Sequence, residues 1–148
     1  MKMNSSFYNI MVSAHSGLRW LVLVFLIVAI FQTFSRRGKF GDIKETKSVL
    51  IALILTHLQV LVGLILYFIS PKVQFSGGTM SSSVLRFYTV EHILLMVVAI
   101  TLITMGYSRS KRAPKPFNVA FNFYLIALIL ILIGIPWPFR EALGAGWF

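Results

Sequence analysis

Four long, almost uncharged apolar runs dictate what this chain can become. They cover about residues 11–34, 48–69, 85–107 and 117–135. Each is roughly 20 residues long, and a helix rising ~1.5 Å per residue needs about that many to cross a ~30 Å hydrocarbon layer. Backbone polar groups in hydrocarbon must be satisfied within their own segment, so the runs are expected to be helices; a transmembrane barrel would instead show short alternating strands. Composition agrees: 57% of the residues are hydrophobic and 12% charged, about half the charge of a soluble domain. Pro71 and the Ser76-Gly77-Gly78 stretch close the second run, Pro114 and Pro116 stand at the head of the fourth, and Pro136 and Pro138 follow its end. Proline suits a helix start and blocks its continuation. Short connections between successive spans favour neighbours that run antiparallel. The expected fold is all-α: one integral-membrane four-span antiparallel bundle over residues 1–148, with no repeat.

The net charge of +10 does not argue for nucleic acid. Arg36, Arg37, Lys39, Lys44 and Lys47 fall between the first two runs, and Arg109, Lys111, Arg112 and Lys115 between the last two. Such clusters beside spans orient a membrane protein and meet lipid headgroups. They assign both loops to the cytoplasm. Both termini and the 71–84 loop then lie outside, in the inner membrane of a bacterium. Trp20, Trp137 and Trp147 fall near the outer interface in this arrangement, where aromatic belts form. The first run is too long for a signal-peptide core and lacks a small-residue cleavage site, so it is read as a retained span. With no cysteine, disulfides, iron–sulfur clusters and haem attachment through Cys-x-x-Cys-His are excluded.

The chain has three histidines, His15, His57 and His92, one in each of the first three runs. Ionisable side chains in a membrane are costly and mark functional sites. Helical rise puts His15 ~6 Å and His92 ~10 Å below the outer edge, with His57 ~18 Å deep, near mid-membrane. Histidine is a common axial ligand of haem iron. The candidate ligand pair for haem b is therefore His15 with His92, and His57 with His92 is the second choice. The plainer role for each is an interhelical hydrogen bond. Arg19 lies one turn from His15 and suits a haem propionate. Arg86, at the mouth of the third span, suits the other propionate or a headgroup. Glu91, the only acid inside a run, suits an ion pair with Arg19 or Arg86, or proton exchange. His57 is a candidate for the same proton or quinone chemistry. Gly17 and Gly63 permit close approach, Asn118 and Asn122 suit interhelical bonds, and Met96 suits packing. No hydrolytic or phosphoryl-transfer motif occurs.

The segment His15-Ser16-Gly17-Leu18-Arg19-Trp20, the mid-span His57 and the Glu91-His92 pair together resemble small four-helix membrane proteins of the cytochrome b type. The bundle is also similar in outline to one half of a heme A synthase. The resemblance spans all four runs and implies haem b ligation and electron exchange with the quinone pool, carried by His15, His57, His92 and Arg19. The fourth run lacks the histidine that heme A synthase halves use as an axial ligand. The expected function is electron transfer between a quinol and an outer-side partner. Two alternatives stand beside it: a non-catalytic accessory or assembly subunit of a larger membrane complex, and a copper-handling or transport protein. Other membrane subunits or a homodimer are the expected protein partners.

Overall fold

The computed structural model describes residues 5–143 and residue 146; Trp147, expected at the outer interface, lies outside them. Among the described residues four helices are long and apolar enough to cross a membrane: α1 (Ser5–Ser35), α2 (Lys47–Ile69), α3 (Ser83–Ser110) and α4 (Pro116–Gly134). They form the expected antiparallel bundle. Around its perimeter α1 lies between α2 and α4, and α3 closes the ring by touching α4 and α2. Thus α1 and α3 are diagonal partners running in the same direction, as are α2 and α4.

Helix ends follow local chemistry. Pro116 opens α4, where its missing N–H costs no helical bond. The Ser82 hydroxyl accepts from Leu85 N–H at the start of α3, a side-chain N-cap. Within α3, residues Phe87–Glu91 form a π turn between α-helical Ser83–Arg86 and His92–Ser110. Tyr67 of α2 donates to the Thr89 carbonyl in that turn, 2.8 Å away. The first helix begins before the apolar run does, at Ser5, and Tyr8 in this extension bonds with Ser70, just beyond α2, at 3.5 Å.

The two halves of the bundle are packed differently. In the half nearer the basic loops, Leu26, Ala29, Ala52, Ile103, Phe117 and Ala120 are almost wholly buried. The Tyr124 hydroxyl crosses the α2–α4 diagonal to donate to the Val49 carbonyl at 2.9 Å. Arg36 bridges Glu45 at 2.6 Å and lies 4.2 Å over the Phe117 ring, closing that end. Small residues set the α3–α4 approach: a Cβ on Gly106 would fall 2.6 Å from Phe123 Cβ. Without a solvent-driven hydrophobic effect between lipid-facing helices, such close contact supplies much of the association. Asn118 accepts from the Gly38 N–H at 2.8 Å, so its bond goes to a loop instead of a neighbouring helix.

Gly106→Ala is expected to lower thermal stability in detergent, by about 1–3 kcal/mol as in overpacked cores. Gly17→Ala, with nothing within 4 Å of the added carbon, is expected to leave it unchanged. A thermal melt followed by circular dichroism makes the comparison.

Candidate functional site

The half of the bundle away from the basic loops is built around two imidazoles. His15 on α1 and His92 on α3 come from diagonally opposed, parallel helices, so they reach the bundle axis at one height. Their ring centroids are 6.2 Å apart and their planes are inclined at 73°.

His92 is held by the end of α4. Its Nδ1–H donates to the Gly134 carbonyl at 2.7 Å, one of the carbonyls that a helix leaves free at its C-terminus. This bond fixes the tautomer and leaves the Nε2 lone pair available, the usual arrangement of a ligating histidine. Gly134 brings α4 close enough for this: a Cβ there would meet Met96 Cε at 2.5 Å. The π turn directly before His92 adds a residue to the local repeat and so shifts the direction in which the following side chains project; π turns recur at functional sites. Phe87, the first residue of that turn, packs its ring 5.9 Å from the imidazole.

His15 is positioned by α2. The Gln59 side-chain amide donates to the His15 carbonyl at 2.9 Å, and the ring rests on Gly63, where a Cβ would stand 3.0 Å from His15 Cε1. Gln59 and Gly63 are one turn apart and share a face. His15 Nδ1 and Gln59 Oε1 are buried without a hydrogen-bond partner in the structure, which is costly in a low-dielectric interior. Around these groups lies a cavity of about 250 Å³, lined by His15, Arg19, Thr56, Gln59, His92 and Met96 among others. Pro136, just beyond α4, also lines it. Arg19 is 8% exposed, a cationic side chain in the cavity wall one turn from His15, with its guanidinium 5.4 Å from the Trp20 ring centre.

The other candidates lie elsewhere. His57 is exposed on the outer surface of the bundle, with Nδ1 2.8 Å from the Leu53 carbonyl and Nε2 3.5 Å from Thr104 Oγ1. The inward face of α2 is set by Val49, Ala52 and Thr56, and His57, about 100° further round, cannot join it. Glu91 accepts from Arg86 at 2.7 Å, with both side chains 41% exposed. Arg86 is thereby engaged outside the cavity, as is Glu91. Gly17 faces open space, while Gly63 provides the close approach. Gln59, Phe87 and the Gly134 carbonyl are additional site groups. Of these Gln59 alone stands out in the sequence, as a polar residue inside an apolar run, but its direction does not. Among the described residues, no three histidine or acidic side chains gather as a metal site. No family model, curated protein or solved structure matches the chain.

Gly63→Ala is expected to displace the His15 ring and leave the His57 environment intact. In ¹⁵N-histidine spectra of the protein in detergent, the His15 resonances should move and those of His57 should stay.

Proposed function

We propose that the protein is a haem b-binding membrane protein that exchanges electrons with the quinone pool. The observation that carries this reading is the His15–His92 pair. Two imidazoles sharing one metal at ~2.0 Å per bond, with ~1.1 Å from nitrogen to ring centre, stand about 6 Å apart between centroids; the observed separation is 6.2 Å. His15 and His92 would each supply an imidazole nitrogen to the iron of a bound haem. The group supplies one-electron chemistry when bound.

The residues fit such a group in charge as well as in donor type. Arg19 offers a guanidinium to a carboxylate, the match of planar donors to planar acceptors that favours bidentate pairing. The lining is otherwise largely apolar, as in most cofactor sites. The cavity of about 250 Å³ lies just under the ~300–1,000 Å³ typical of small-molecule sites, so a macrocycle must also part side chains in the loosely packed half of the bundle. His92 is anchored through Gly134, and His15 through Gln59 and Gly63, so each imidazole would be held in place while side chains beside the pair part. In our reading the basic loops face the cytoplasm of a bacterial cell, the 71–82 connection faces outward, and the haem lies nearer the outer surface. The cytochrome b likeness of the HSGLRW segment supports the same assignment.

Protein purified in mild detergent is expected to show a Soret band and sharp visible bands on reduction, as for a low-spin haem with two imidazole ligands. His15→Ala and His92→Ala should each abolish the low-spin spectrum, and His57→Ala should retain it. Colourless protein, or loss of pigment only in the His57 variant, would refute the reading. Arg19→Gln should keep the haem and lower its reduction potential in a redox titration, because removing a nearby positive charge favours the ferric form.

A further inference from the structure

The outer surface of the bundle carries an unusual polar pair at mid-span. His57 is the eleventh residue of the 23-residue helix α2, is exposed, and stands opposite exposed Thr104 on α3. Hydrocarbon offers no hydrogen bonds to either. Their proton inventory is specific. The Leu53 carbonyl can only accept, so the 2.8 Å contact places a proton on His57 Nδ1, and a neutral ring then presents a bare Nε2 lone pair. The single hydroxyl proton of Thr104 is engaged with the Ile100 carbonyl at 2.7 Å. Nε2 and Thr104 Oγ1 thus face each other at 3.5 Å as two acceptors with no proton between them. The groove between α2 and α3 is therefore set to receive a hydrogen-bond donor from the lipid phase. Exposed Ile54 and Leu61 flank His57 along α2, and exposed Val97 continues the groove on α3.

We infer that this lipid-facing groove binds the headgroup of a membrane-dissolved quinol, one hydroxyl of which shares its proton in a three-centre bond between His57 Nε2 and Thr104 Oγ1 while its hydrocarbon tail lies along the apolar flanks. The inference rests on the quinone-pool reading above and adds the place of binding and the redox form preferred. The reduced ring brings one O–H proton that the two acceptors can share, whereas the oxidised ring carries only carbonyl acceptors and would leave both unsatisfied. Distance suits exchange with the histidine pair. Gln59, two residues along α2 from His57, holds His15 from the opposite face, so one helix diameter, ~10–12 Å, separates groove from pair. Thr101, one turn before Thr104, donates to the Val97 carbonyl and adds no competing donor.

The test uses full-length ¹⁵N-histidine-labelled protein in lipid nanodiscs under anaerobic, reducing conditions. The probes are a decyl-tailed benzohydroquinone and its dimethyl ether, which shares ring and tail but has no O–H. The hydroquinone should produce a saturable shift of His57 Nε2, at least about tenfold tighter than any effect of the ether, the factor that one hydrogen bond of ~1.4 kcal/mol supplies. Thr104→Val should weaken the effect while His57 remains visible. No saturable shift, or equal shifts from hydroquinone and ether, would overturn the inference. A His57 shift that tracks protein-to-lipid ratio without added probe would overturn it in favour of a second copy covering the groove. The Soret band reports separately on the haem reading, so a pigmented protein with an unresponsive His57 rejects the groove alone.

Discussion

Polar groups in hydrocarbon must find partners inside the protein, and the cross-bundle histidine pair is where that rule shapes this structure most. His92 cannot approach the axis without an acceptor for its Nδ1–H, and the carbonyl it uses exists only because α4 ends at Gly134. A fourth helix continued by two further turns would have consumed that carbonyl in its own ladder. The Pro136 and Pro138 signal that ends the apolar run is therefore also what supplies His92 with its anchor. His15 in turn depends on Gln59 and on the absence of a side chain at Gly63. Each imidazole is thus placed by a helix adjacent to its own, and all four helices contribute to one pair.

The same constraint explains why the bundle is tight at one end and open at the other. Near the basic loops the helices meet through alanines, Phe117 and Tyr124, with small residues allowing backbones to approach. Toward the other end the inward positions are taken by His15, Arg19, Gln59 and His92, whose polar atoms cannot be packed against each other like methyl groups. Cavity and polarity therefore coincide, as they do in cofactor sites generally. Arg86 and Glu91, which satisfy one another, keep a second charged pair out of this space; the cations in the cavity wall among the described residues are Arg19, one turn from His15, and Lys72.

Much of this was legible in the sequence, and the part that was not has a physical cause. Run length, proline placement and loop charge define four helices and their alternation, because a membrane leaves the backbone few options. Helix direction and rise then make His15 and His92 neighbours in height before any contact is known. Rotation is harder to read. The α2 sequence is apolar all round, so nothing in its pattern says whether His57 or Gln59 faces inward; packing against α1 through Gly63 decides it. The π turn at Phe87–Glu91 is likewise invisible to a 3.6-residue period, and it lies directly before the histidine that the site needs. Charge partners are ambiguous for a related reason: Glu91 had two arginines within plausible reach, and helical geometry around the π turn selects Arg86.

Two histidines of one chain thus occupy opposite chemical situations on either side of α2. Inside, a ring with an engaged Nδ1–H and an accessible Nε2 faces a second imidazole, which is a donor set for a metal. Outside, a ring with the same tautomer faces a threonine whose proton is already committed, which is an acceptor set for a hydroxyl. The difference is made by the neighbours and not by the imidazole, since in both cases a backbone carbonyl fixes the proton on Nδ1. On the proposed function, the one-electron cofactor would lie inward and the quinol outward of a single helix, α2. The lipid-soluble partner would then come near the cofactor without entering the bundle, whose half beside the basic loops is closely packed by Leu26, Ala29, Ala52 and Phe117.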